Sequence, residues 1–291
     1  MRHRLSPVSR RQGALMSATV SFKVPSATGP QPVTVSYARV GRGEPLLLLH
    51  GIGHHRQAWD PVVDILATER DVIAVDLPGF GASPGLPEGL SYDLATTTSV
   101  FGALCEALEL DRPHVAGNSL GGLLALELGR ERLVRSVTAL SPAGFWSEAE
   151  RRYAFGVLLA MRHISRRLPL PLVEQLARSA AGRTMLTSTI YSRPGRRSPE
   201  AVVAETLALA QATGFDETLR AGTAVQFADD VPGLPVTVAW GTRDMILVRR
   251  QGVRAKQIIP RARLVRLPGC GHCPMNDDPA LVARVILDGS R

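Results

Sequence analysis

"HVAGNSLGG", residues 114–122, is the stretch whose reading decides the fold. One serine, Ser119, stands between Gly117 and Gly121, with Gly122 following. A short apolar segment, His114-Val115-Ala116, precedes it, and Leu123-Leu124-Ala125-Leu126-Glu127-Leu128 follows as a helix would. A Gly-x-Ser-x-Gly pentapeptide between a buried strand and a helix makes a very sharp turn. The serine there takes a strained backbone conformation, and its neighbours two positions away must lack bulk because two backbones pass close. The serine Oγ then stands above the sheet, and the helix start offers unpaired N–H groups to a developing negative charge.

Outward from this turn the chain alternates strands and helices. Pro45–Leu49, Val72–Val75, His114–Ala116, Val134–Leu140 and Pro235–Trp240 are short and continuously apolar, as strands covered on both faces are. Helical patterns fall at about 58–68, 92–109, 119–130, 247–258 and 278–288, and Arg263–Leu267 reads as the last strand. This order predicts an α/β fold with a mostly parallel central sheet flanked by helices. Alternation in Thr19–Val24 and Val33–Tyr37 predicts two exposed antiparallel strands. Between Phe145 and Phe227 there is no buried strand, only amphipathic runs (148–167, 171–181, 199–211, 214–224) separated by Pro- and Gly-bearing joints. The predicted organisation is a core of 18–144 and 228–291, a helical cap inserted at 145–227, and a disordered basic tail at 1–17, in which Met16 offers an alternative start.

Composition excludes several classes. Apolar residues make up 45% and charged residues 21% of 291, ordinary for a globular domain. No apolar run reaches the length of a membrane span. Ser9-Arg10-Arg11 is followed by too short an apolar stretch for an export signal. The net charge of +8 comes from scattered arginines, Lys23 and Lys256 being the only lysines, so no nucleic-acid partner is expected. Three cysteines make no disulfide framework, which predicts a cytoplasmic protein.

A serine hydroxyl needs a base, usually His, and a carboxylate that fixes the base. Both follow strands. "VAWGTRD" places Asp244 just past a buried strand, and "LPGCGHCP" places His272 in the loop after the last one. With "LLLLHGIG" and "VIAVDLPGFGASP", these stretches resemble the α/β-hydrolase superfamily over about residues 19 to 289. The resemblance implies Ser119 as nucleophile, His272 as proton shuttle and Asp244 as its orienting acid. It also implies an oxyanion hole from the backbone N–H groups of Ile52 and Leu120. Gly51, Gly53, His54 and Asn118 are expected beside the substrate pocket, with His50 orienting the oxyanion loop.

Rival readings are weaker. Asp76 reads as a turn-forming carboxylate rather than the catalytic acid. Cys270-Gly271-His272-Cys273 spells a disulfide-isomerase centre, but only about eighteen residues follow it, too few for that fold. His54 and His55 lack a third ligand at metal spacing, so neither a metal nor a cofactor is expected. The resulting expectation is a serine esterase acting on a small apolar acyl substrate. A carbon–carbon bond hydrolase of ring-opened diketones and a non-catalytic ligand receptor remain open, as does a homodimer.

Overall fold

The computed structural model describes residues 17–291; the basic tail expected at 1–17 lies outside it except for Ser17, which begins the first strand. Among the described residues eight strands form one sheet: β1 (Ser17–Val24), β2 (Gln31–Gly41), β3 (Glu44–Leu49), β4 (Arg70–Val75), β5 (His114–Asn118), β6 (Ser136–Leu140), β7 (Val236–Gly241) and β8 (Arg263–Leu267). Their order is β1-β2-β4-β3-β5-β6-β7-β8. β2 runs antiparallel to β1 and β4, and the pairs from β4 through to β8 are parallel. The fold is therefore α/β with a mostly parallel sheet, as the alternation of apolar runs predicts.

The helices are α1 (Asp60–Leu66), α2 (Leu94–Ala107), α3 (Leu120–Arg130), α4 (Glu148–Arg167), α5 (Leu170–Ala177), α6 (Ala180–Thr187), α7 (Pro199–Gln211), α8 (Phe215–Ala221), α9 (Arg250–Ile258), α10 (Pro274–Asp277) and α11 (Pro279–Gly289). Alternate residues of β3 divide the core. Leu47 and Leu49 face the cluster shared with α2 and α3, while Leu46 and Leu48 face the one shared with α1 and α11. Burying one leucine side chain contributes roughly 2 kcal/mol, so this four-leucine strand anchors both layers.

Two sequence expectations change in detail. β2 is not an exposed strand: Val33, Val35 and Ala38 are buried, whereas β1 is largely exposed. The single amphipathic run at 171–181 is two helices. Ser179 turns extended and its side chain caps Gly182 N–H at 3.0 Å, which stops α5 and starts α6.

Helices α4 to α8 all lie between β6 and β7. α4 opens with a capping box between Ser147 and Glu150. The Glu150 carboxylate also takes the guanidinium groups of Arg250 and Arg254, which fixes the start of α4 to α9.

Candidate active site

β5 ends at Asn118 and α3 begins at Leu120, leaving Ser119 alone to make the turn. Ser119 has φ 57 and ψ −116, a left-handed conformation costing about 1–3 kcal/mol for a residue with a side chain. Its N–H donates to Leu140 O at 3.0 Å and its carbonyl accepts from Leu123 and Ala143, so the surroundings hold the strain in place. A Cβ at Gly117 would lie 2.0 Å from Gly121 O, and one at Gly121 would lie 2.2 Å from Leu49 O. The two glycines therefore let strand, helix and the end of β3 close on each other.

The loop after β3 lies against this turn. A Cβ at Gly51 would be 3.2 Å from Ser119 Cβ. His50 is fully buried and fastens the loop: its Nδ1 donates to Gly51 O at 2.7 Å and its Nε2 accepts from Leu77 N–H at 3.0 Å. Because a backbone N–H can only donate, Nε2 must be unprotonated. Burial independently pushes the His50 pKa down to about 4. The amides of Ile52 and Leu120 have no hydrogen-bond partner among the described residues, and both residues line the same cavity as Ser119.

Asp244 and His272 meet across two strand ends. His272 Nδ1 lies 2.9 Å from Asp244 Oδ2, and both side chains are buried. Asp244 Oδ1 accepts from the N–H groups of Ile246 and Leu247, each at 2.9 Å. Two amides and an imidazole thus fix both oxygens of one carboxylate. Among the described residues no hydrogen bond joins Ser119 Oγ to the His272 ring. The serine turn and the histidine loop are tied through the neighbour instead: Asn118 Nδ2 donates to His272 O at 2.9 Å and to Leu140 O at 3.1 Å. Cys273 Sγ donates to Asn118 Oδ1 at 3.3 Å.

The cavity beside Ser119 is about 80 Å3 and is walled by Ile52, Phe80, Leu120, Leu123, Trp146 and Leu158, among others. Among the described residues no charged side chain lines it. Gly51, Gly53, His54 and Asn118 do not line it either, so the pocket expected around these four is displaced onto apolar neighbours. The amide group of Asn118 is spent on His272, Leu140 and Cys273. His54 faces the other way: its Nδ1 accepts from His55 N–H at 3.0 Å and its Nε2 lies 3.3 Å from Tyr191 Oη.

Asp76 is fully buried and accepts from the backbone N–H groups of Arg56 (2.7 Å) and Ala82 (3.0 Å) and from the Arg56 guanidinium. It organises the loop after β4. Burial raises the Cys270 thiol pKa to about 12 and that of Cys273 well above the ordinary value, so neither is a thiolate nucleophile near neutral pH. Cys105, Cys270 and Cys273 are all free thiols. Among the described residues no cluster has a metal-binding arrangement.

Four residues around the site were not singled out from sequence. Tyr191 Oη donates to Glu205 Oε1 at 3.0 Å, and Arg197 Nε donates to the same oxygen at 2.6 Å. This buried trio ends on His54. Asp277 accepts from Gly271 N–H (2.7 Å), Ser192 N–H (3.0 Å) and Arg193 N–H (2.8 Å), bracing the His272 loop against the segment after α6. Asp277 stands in "PMNDDP", where two adjacent acids before a proline look like a helix start. Tyr191, Arg197 and Glu205 carry no local sequence signal, because only the tertiary fold brings them together.

The chain matches the Alpha/beta hydrolase family over residues 46–285. It is 30% identical over 261 residues, 84% of this chain and 75% of the relative, to an uncharacterized protein of Mycobacterium tuberculosis (strain ATCC 25618 / H37Rv). Its structure superposes on a thermophilic esterase from Thermogutta terrifontis with a TM-score of 0.72 at 20% identity, covering 92% of this chain and 97% of that one. It superposes on a meta-cleavage product hydrolase from Pseudomonas fluorescens IP01 with a TM-score of 0.69 at 21% identity, with coverage of 92% and 97%. Strand order, strained serine turn and the extent of the family match lead to one conclusion: this chain belongs to the alpha/beta hydrolase family.

Proposed function

We propose that the protein is a serine hydrolase that cleaves a carboxylic ester of an uncharged, apolar acyl group through an acyl-enzyme intermediate. In this reading Ser119 Oγ attacks the ester carbonyl and passes its proton to His272 Nε2. The amides of Ile52 and Leu120 take up the oxyanion, and removing one such donor typically costs about 3 kcal/mol of transition-state stabilisation. Asp244 holds His272 in the tautomer whose Nε2 is free to accept, and stabilises the imidazolium that forms. His272 then protonates the leaving alcohol, and a water activated by the same ring releases the acid. Residues 145–227 act as the cap that shapes the acyl pocket.

The observation that carries the choice of substrate is the cavity wall: among the described residues Ser119 opens onto mostly apolar side chains with no cation among them. A ring-opened diketone acid brings a carboxylate, which a wall without a positive group would leave desolvated and unpaired. An apolar acyl chain meets no such cost. The test is turnover of a p-nitrophenyl ester series of rising acyl length by wild type and Ser119→Ala. Ester hydrolysis that is lost in the variant supports the proposal. A folded wild type inactive on every ester but active on a ring-opened diketone acid moves the assignment to carbon–carbon cleavage, and inactivity on both moves it to a receptor.

A further inference from the structure

The cap has an outer face that the proposed chemistry does not use. Residues 151–185 contain seven arginines and a single acid, Glu174; Arg162 is buried, and Arg151 and Arg183 donate to backbone carbonyls, which leaves Arg152, Arg166, Arg167 and Arg178 for the outer face. The whole chain carries +8, four of its arginines lie before residue 17, and so the rest of the described chain is slightly acidic. The same 35 residues hold six of the ten exposed large apolar side chains among the described residues: Tyr153, Leu159, Ile164, Leu170, Leu172 and Met185. Ile164 is 55% and Met185 73% exposed.

The two features coincide at one corner. α4 ends in Ile164-Ser165-Arg166-Arg167, and Leu168-Pro169-Leu170-Pro171-Leu172 turns the chain into α5. Arg166 and Arg178 make no ion pair or side-chain hydrogen bond among the described residues, and Arg167 reaches only His163 at 3.3 Å. Apolar side chains are interleaved with these arginines along the chain rather than gathered into a groove. We propose that this corner docks the protein onto an anionic lipid surface, with Leu170 and Leu172 entering the headgroup boundary and Arg166, Arg167 and Arg178 pairing with lipid phosphates.

Charge complementarity selects this occupant. Attachment to an anionic interface is strengthened both by the apolar area that enters it and by each arginine near its surface, and this corner exposes both kinds of side chain together. Guanidinium groups pair bidentately with phosphate oxygens. Among the described residues no helix is long and apolar enough to cross a membrane, so the attachment is peripheral. The inner face of α4 gives the attachment a use: Ala154, Phe155 and Leu158 line the cavity beside Ser119 while Tyr153 and Leu159 face outward. One helix therefore separates the lipid surface from the apolar cavity. This last link rests on the proposed hydrolase reading; the docking itself does not.

The experiment is cosedimentation of the full chain with vesicles of phosphatidylcholine alone and of phosphatidylcholine with one-third phosphatidylglycerol, at low and high salt, beside a sedimentation measurement of oligomeric state. Expected are binding to the phosphatidylglycerol vesicles only, loss of it at high salt, and unchanged binding by Ser119→Ala. Each arginine near an anionic surface is worth about fivefold in affinity, so the pair Arg166→Glu and Arg167→Glu should weaken binding about 25-fold or more. Leu170→Ser with Leu172→Ser, both at exposed positions, should weaken it as well. Absence of binding, or binding untouched by the charge reversals, overturns the proposal. So does a dimer that binds no vesicles and that the two serine substitutions split, since the face then belongs to a second copy. Ester turnover plays no part in this readout, so a failure of the hydrolase reading leaves the result intact.

Discussion

Acid should unfold this protein in part through one imidazole that does no chemistry. His50 is buried with Nδ1 donating to Gly51 O and Nε2 accepting from Leu77 N–H, and it has no further acceptor for a second proton. Its pKa is depressed from 6.5 to about 4, burial being the largest cause. Because the folded value is the lower one, the unfolded chain binds more protons between about pH 6.5 and pH 4. Stability is therefore full above that window and falls as the pH drops through it. A depression from 6.5 to about 4 corresponds to about 3 kcal/mol in all, of which about 2 kcal/mol is lost between pH 7 and pH 5. His54, His55 and His114 are lowered too and act in the same direction, so the bare pH slope does not isolate His50. The assay is urea unfolding at pH 7 and pH 5 for wild type and His50→Gln. The variant should be less stable at pH 7, yet lose about 2 kcal/mol less than wild type on acidification. Equal losses in the two proteins would refute the reasoning.

Two further outcomes are expected. Asp244→Asn keeps an oxygen for the Ile246 and Leu247 amides but turns an NH2 toward His272 Nδ1, so kcat should fall about ten-thousand-fold with the urea midpoint near wild type; a near-wild-type kcat assigns the acid elsewhere. Glu205→Ala leaves the buried Arg197 guanidinium without its carboxylate and should cost about 3–5 kcal/mol, read as urea unfolding, with much of the loss recovered by adding Arg197→Leu.

What the sequence made legible were features set by local rules. Four consecutive leucines at 46–49 mark a doubly covered strand, and glycines at 117 and 121 mark a turn where backbones touch. Asp244 and His272 stood out because each lies in the loop after a strand, and the structure places Nδ1 of His272 2.9 Å from Oδ2 of Asp244. The pocket was less legible. Gly51, Gly53, His54 and Asn118 lie beside the motif in sequence, but a cavity is walled by whatever the tertiary fold delivers, here Trp146 and Leu158 from after β6 and Phe80 from after β4. A side chain next to the candidate nucleophile can equally be consumed in tying loops together, as that of Asn118 is. The break between α5 and α6 was hidden for a related reason: one serine's capping bond interrupts an amphipathic pattern that otherwise continues.

The residues that no local rule could find share a position in the fold. The segment from Ile190 to Arg197 leaves α6 and runs between the two loops that carry the candidate chemistry. On one side Asp277 and the bond from Cys273 N–H to Ile190 O (3.1 Å) hold it to the His272 loop. On the other, Tyr191 reaches His54, directly after Gly53 in the loop carrying the Ile52 amide. Replacing a buried ion pair with apolar residues is often neutral or stabilising, so Glu205 and Arg197 are poorly explained as cohesion alone. Directional bonds do what apolar packing cannot: they fix the angle at which one loop faces another. Glu205 accepts from Tyr191 and Arg197 through the same oxygen, which sets the tyrosine hydroxyl, and the hydroxyl in turn sets the His54 ring. The helices between β6 and β7 are thereby coupled to the placement of the Ile52 amide as well as to the shape of the cavity, and a substitution at Tyr191 should alter turnover without altering a single cavity wall.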